Sequence, residues 1–92
     1  MTSEKIVSKN LTEWVNEKGL LHRLDGPARE YSDGYKSWWV DGKRHRVDGP
    51  AVECKNGYKE WFIKGVFFKN KECWFNALAK DEQITYLFNM EE

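Results

Sequence analysis

The chain has 92 residues, too few for two ordinary domains, and its 15 basic side chains balance its 15 acidic ones. A neutral balance supplies no global field to draw it to nucleic acid or an anionic membrane, so generic nucleic-acid binding is not expected. Aromatic residues make up 15% of the chain, 5 of them Trp, so a small core can gain much buried area from few side chains.

In chain order, a first and incomplete unit opens near Glu13-Trp14, and Gly19 follows that tryptophan at an interval one residue longer than the one from Trp38 to Gly42. His22-Arg23-Leu24-Asp25-Gly26-Pro27-Ala28 comes next and returns as His45-Arg46-Val47-Asp48-Gly49-Pro50-Ala51, displaced by 23 residues. Six of the seven positions are identical and the seventh is aliphatic in both. The same shift carries Gly34-Tyr35-Lys36 onto Gly57-Tyr58-Lys59, Trp38 onto Trp61, and Gly19 onto Gly42 and Gly65. The third unit loses the signature and runs into Val66-Phe67-Phe68, as terminal repeats do when they must cap an array.

Turn chemistry sets the secondary structure. Asp33-Gly34 and Asn56-Gly57 divide extended runs and favour the positive dihedrals of tight hairpins, and Asp41-Gly42 and Lys64-Gly65 form a second set of reversals. Pro27 and Pro50 cannot donate to a ladder and belong at a strand's first position or edge, each after an extended glycine. From Tyr35 to Val40, alternation puts Lys36, Trp38 and Val40 on one face and Tyr35, Ser37 and Trp39 on the other. Both faces carry rings, so if the tail covers one, the other needs a different cover or a partner.

After Phe68, Asn70 can cap a helix from Lys71 with Trp74, Ala77 and Leu78 at helical spacing. Asp81 can cap a second helix in which Ile84, Leu87 and Phe88 fall at i, i+3 and i+4, and the whole tail is expected to pack its apolar stripe on the sheet. The expected fold is mainly β (α+β): an antiparallel hairpin-repeat meander over 12–68 and helices over 70–90, in a single domain of 1–92. No run is long enough for a signal peptide or membrane span, so cytoplasmic residence with Cys54 and Cys73 as packed, reduced thiols is expected.

The His-Arg-x-Asp-Gly-Pro-Ala signature, with the Asp/Asn-Gly turn and aromatic pair that follow it, resembles the small DGPA-repeat proteins of tailed bacteriophages. Their glycine-punctuated hairpins are distantly similar to MORN-type repeats, whose Tyr-x-Gly-x-Trp core appears only loosely here. The resemblance spans Trp14 to Phe68, and the acidic helical ending is similar as well. It implies a β-hairpin array and carries over no enzymatic activity.

Four tempting residues, His22, Arg23, His45 and Arg46, recur with the repeat. A catalytic constellation gathers different residues at one point, so these read first as architecture, with Asp25 and Asp48 taking backbone N–H groups and the arginines pairing with them or stacking on rings. The order His22, His45, Cys54, Cys73 matches no compact zinc spacing, and neither a Ser-His-Asp set nor a phosphate-cradling loop is present, so no metal, cofactor or enzymatic activity is expected. Trp39, with Tyr35 and Tyr58 on its face, is the leading candidate contact surface. Two functions follow as expectations. One is a phage-type accessory protein that binds a host protein to inhibit a defence or redirect a host process. The other is a homo-oligomeric sponge for a nucleotide-like ligand, with Arg23, Arg46, His22 and His45 on phosphates and rings stacked on a base.

Overall fold

In the computed structural model, which describes residues 3–89, the protein is mainly antiparallel β-sheet with two short C-terminal helices. Seven strands form one sheet in the order β1 (Glu4–Val7), β2 (Leu11–Val15), β3 (Arg29–Tyr31), β4 (Lys36–Ser37), β7 (Val52–Glu53), β8 (Lys59–Ile63) and β9 (Val66–Phe68). A short pair, β5 (Trp39–Val40) and β6 (Lys43–Arg44), forms a second sheet. Helices α1 (Lys71–Ala77) and α2 (Lys80–Asn89) complete the chain, so of the expected helical range 70–90 only residue 90 lies outside the described residues.

Each full unit is one long hairpin whose return strand is interrupted. In the second, Lys36 to Val40 runs out, Asp41-Gly42 reverses it, and Lys43 and Arg44 pair back with Val40 and Trp39. The chain then leaves the ladder for the signature and re-enters at Val52 and Glu53, which pair with Ser37 and Lys36. The signature is therefore a bulge loop, closed on a single residue. Trp38 N–H donates to the Ala51 carbonyl at 2.8 Å, and the Trp38 carbonyl accepts from His45 N–H at 3.0 Å. In the first unit Trp14 bonds Ala28 and His22 in the same way, at 2.8 and 2.9 Å.

Units are sewn together by bonds that repeat the 23-residue shift. Ala28 N–H donates to the Ser37 carbonyl and Ala51 N–H to Glu60; Arg23 N–H donates to Trp39 and Arg46 N–H to Phe62. A small side chain stands where the base of each loop meets the next hairpin, and Ala28 and Ala51 are both fully buried. The charged row Glu30–Lys36–Glu53–Lys59 runs across four strands with opposite signs adjacent, which adds cross-strand attraction on a solvated face.

The two sets of turns differ, which corrects the expectation that Asp33-Gly34 and Asn56-Gly57 carry paired positive dihedrals. Only their glycines have positive φ, whereas Asp41 (φ 51) and Lys64 (φ 50) share that region with Gly42 and Gly65. At the former pair, the Asp33 and Asn56 side chains instead accept the N–H of Tyr35 and Tyr58, at 3.1 and 3.0 Å, so polar side chains hold a wider turn. The extra residue after Trp14 makes a longer turn, in which buried Asn16 accepts from Lys18 and Leu20 N–H through its side-chain oxygen, at 2.9 and 3.1 Å.

Asn70 caps α1 as expected, its side chain accepting from Cys73 N–H at 2.8 Å. Two expectations for the tail need correction. Asp81 does not cap α2: the helix starts at Lys80, with Asp81 in its first turn and the Glu82 carboxylate reaching back to Ala79 N–H at 2.9 Å. The tail packs on the sheet through α1, where Trp74 and Leu78 are buried and Trp74 meets Trp61, but the α2 residues do not follow, since Ile84, Leu87 and Phe88 are 61%, 53% and 79% exposed. Tyr86 makes the inward contact in their place, its ring edge-on to Trp74 at 5.2 Å. β1, which pairs with β2 ahead of the first repeat, is an addition to the expected array.

Candidate functional site

The side chains of each signature are engaged by the loop that presents them. Arg46 lays its guanidinium over the Trp38 ring, with Cζ 3.7 Å from the centroid, and Arg23 covers Trp14 at 4.3 Å. Arg46 Nε donates to Asp48 at 2.7 Å, while its Nη1 donates to the Pro50 carbonyl and Glu53 at 2.9 and 3.0 Å. In the preceding loop, Arg23 donates to Asp25 and the Pro27 carbonyl at 3.0 and 3.2 Å. A Cβ on Gly49 would stand 2.7 Å from the Arg46 guanidinium carbon, and one on Gly26 2.8 Å from that of Arg23. So the arginine reaches back over its own tryptophan, the aspartate and the proline carbonyl fix it, and the glycine makes room.

The histidines latch turns. His22 Nδ1 accepts from Asp41 N–H at 3.0 Å, and His45 Nδ1 accepts from Lys64 N–H at 2.9 Å. Each imidazole thus satisfies the first positive-φ residue of the next short hairpin, and it can do so only while Nδ1 is unprotonated, with the proton on Nε2. His22 also lies 3.2 Å from the Asp41 carboxylate, which is itself held by Asn16 Nδ2 at 3.1 Å. Burial lowers the His45 pKa from its ordinary value, Glu82 pulls it part of the way back, and Lys64 adds to the lowering.

The third unit has no signature loop, and its tryptophan is covered differently. Trp74 of α1 packs on Trp61 with ring centroids 4.7 Å apart, in the place the arginines take over Trp14 and Trp38. Trp74 is fully buried, and its indole N–H donates to the Arg46 carbonyl at 3.0 Å, tying the helix to the last signature loop. A terminal aromatic cap replaces the repeated cation.

Arg23, His45 and Arg46 do come together, lining one cleft of about 530 Å³ with Trp38, Asp25 and Asp48, closed on one side by Thr85 and Asn89 of α2. The guanidinium groups of the cleft are already engaged, each paired with an aspartate and Arg46 also with Glu53. His22 is absent from its lining; it is buried at 2% exposure behind the first latch. Among the described residues, no group of three or more His, Cys, Asp or Glu is placed to hold a metal, and Cys54 and Cys73 are free thiols.

Trp39, Tyr35 and Tyr58 each have a different neighbour. Trp39 donates its indole N–H to buried Ser37 at 2.7 Å and lies under Arg44, whose guanidinium also faces Phe62. Tyr35 packs edge-on to Tyr31 at 5.4 Å and borders a groove of about 520 Å³ at the turn tips with Asp33, Cys54, Lys55 and Asn56. Tyr58 is exposed and donates its hydroxyl to Glu60 at 2.6 Å, a bond that raises its pKa above the ordinary phenol value. Because Trp61 meets α1, its neighbour Phe62 projects to the opposite face, where it packs on Phe67 at 5.5 Å. That aromatic face carries Trp39 and Arg44.

No family model, curated protein or solved structure matches the chain.

Sequence reasoning missed Arg44 and Glu53, and it placed Trp74 on the apolar side of α1 without finding its partner Trp61. Glu53 and Arg44 lie outside the repeated signature, and their roles depend on which strands become neighbours. Trp74 carried a signal, because a tryptophan without a signature loop in the third unit needs a cover from elsewhere.

Proposed function

We propose that the chain is a non-enzymatic binding protein, a phage-type accessory protein that engages a bacterial host protein in the host cytoplasm to inhibit a defence or redirect a host process. The α2 stripe carries this reading. Ile84, Leu87 and Phe88 sit at helical spacing and face outward, while the repeated Arg and His residues are used inside the fold. Three large apolar side chains on one exposed helix face fit a protein groove better than water. The identity of the partner as a host protein rests on the resemblance of the signature alone. Among the described residues, no helix is long and apolar enough to cross a membrane, so the stripe is not part of a spanning segment of that kind.

The test is affinity capture from bacterial lysate with three baits: the native chain, a Leu87→Ser/Phe88→Ser variant and a Trp39→Ala variant. The expected result is one partner retained by the native and Trp39→Ala baits and lost with the α2 variant. Loss with Trp39→Ala alone would move the contact to the opposite aromatic face. Repeated capture of nothing would overturn the reading.

A second reading, sequestration of a nucleotide-like ligand, draws on the meeting of Arg23, His45, Arg46 and Trp38 in one cleft. The carboxylates of Asp25 and Asp48 oppose it, because a phosphate would have to compete with them for the guanidinium groups. Calorimetry against cyclic and linear nucleotides, with the mass of the native particle measured for homo-oligomers, separates the two.

A further inference from the structure

The two histidine latches are built alike but face different residues. His22 meets Asp41, and at the corresponding place in the next unit His45 meets Lys64. In both, Nδ1 is a hydrogen-bond acceptor, so adding a proton there sets a donor against the backbone N–H it had been accepting. The first latch has a replacement bond at hand. Its Nδ1 lies 3.2 Å from the Asp41 carboxylate, which can accept from a protonated imidazole after a small movement of the ring. The second has Lys64 in place of that aspartate, and its charge disfavours the imidazolium.

We propose that the His45–Lys64 latch is an acid-release device, which loosens the β8–β9 turn and the helical lid beside it while the His22–Asp41 latch holds. The charged groups around His45 come from four places in the fold. Lys64 belongs to the turn it latches, Glu82 approaches from α2, and its own loop and the facing loop contribute the Arg46–Asp48 and Arg23–Asp25 pairs across the cleft. The loop pairs are internally neutral. Glu82 stabilises the imidazolium in part, but burial and Lys64 act against it, and burial is the largest of these influences.

A histidine kept neutral by the fold contributes stability above its unfolded pKa, near 6.5. That contribution is lost as pH falls through the lower folded value. What opens is local, because the bond at risk belongs to the residue that starts the turn into β9 and its adjoining helix. Phe68, at the end of β9, is only two residues from the Asn70 cap of α1.

Amide hydrogen exchange resolved by residue tests the device. Between about pH 7.5 and about pH 5, protection at Lys64 N–H, corrected for intrinsic exchange, falls roughly tenfold as the imidazole stops accepting that N–H. At the next amide of each turn, Gly65 N–H, which bonds the Arg44 carbonyl, loses protection with Lys64, whereas Gly42 N–H, which bonds the Leu21 carbonyl, keeps its protection within about twofold because the Asp41 carboxylate holds the ring. Two substitutions exchange the behaviour. Lys64→Asp makes the second latch hold in acid, and Asp41→Asn makes the first release. Asp and Asn both tolerate the left-handed backbone at these positions, so both variants keep the turns. Parallel loss at Gly42 and Gly65 in the native protein, or unchanged Lys64 and Gly65 amides while the His45 ring titrates, would overturn the proposal.

Discussion

Replacing Gly49 by alanine tests the role assigned to the signature. The added Cβ would lie 2.7 Å from Arg46 Cζ and 3.0 Å from both Nε and Nη1, well inside contact distance. A free arginine tip would swing away at little cost. This one is held by Asp48, the Pro50 carbonyl and Glu53, and it lies against the Trp38 ring with 18% of its side chain exposed. Displacing it by the ångström or so needed for contact breaks or stretches one or two charge-assisted bonds. At about 1.5–3 kcal/mol each in a protected site, discounted for the exposure of Asp48, the net cost is about 2–3 kcal/mol. In a chain this short that is a fall in melting temperature of roughly 10–20 °C. The decisive comparison is the Arg46→Ala background. With no guanidinium to displace and no positive φ at Gly49, the same alanine becomes neutral or stabilising by about 0.4–1 kcal/mol through the unfolded state. Thermal and urea unfolding of the four proteins closes the cycle. A Gly49→Ala penalty of equal size with and without Arg46 would refute the view that this glycine exists to admit the guanidinium.

Trp74→Ala removes a fully buried ring from between Trp61 and Tyr86 and should cost about 3–5 kcal/mol in urea unfolding, with Trp74→Phe costing much less. Asn70→Ala deletes the α1 cap, for a loss of about 1 kcal/mol that calorimetry can resolve. Leu87→Ser with Phe88→Ser alters exposed side chains and should leave stability within about 0.5 kcal/mol of native while abolishing capture of the partner. Marked destabilisation by that pair would mean the stripe is covered by the protein itself.

The repeat, the hairpin character and the α1 cap were legible in the chain because each depends on local chemistry. A glycine after Asp or Asn bends the backbone, and an Asn side chain reaches an N–H three residues on, wherever the rest of the fold lies. The bulge was not legible. Pro27 and Pro50 indicated where the ladder must break, but only the pairing of both Leu21 and Arg29 with β2, at Val15 and Glu13, reveals that one tryptophan faces an entire loop. The α2 stripe failed for a related reason. Spacing defines which side chains share a helix face but not which face turns inward, and here Tyr86, one position before Leu87, supplies the ring that meets Trp74. Sequence alternation did separate Trp38 from Trp39. It could not say that Arg44 would fill the space over Trp39, because that contact needs the return strand to pair Arg44 with Trp39.

Repetition itself distinguishes scaffold from recognition in this chain. Wherever a residue and its 23-residue counterpart make the same bonds, those bonds account for both: His to a turn amide, Arg to a tryptophan face, Ala to the next hairpin. A ligand for one copy would have to break a contact that the other copy shows to be sufficient for folding. The differences between copies are thus the places to look for function. The Asp41/Lys64 difference changes how a latch responds to a proton, and the lost third loop brings in Trp74. With Trp74 comes α2, whose Ile84, Leu87 and Phe88 have no counterpart in either signature and remain exposed. If binding were instead a property of the signature, the two loops would compete for ligand as near equals, and disabling either Arg23 or Arg46 would weaken capture to a similar degree. If it belongs to the tail, both arginine variants that remain folded should bind as the native chain does.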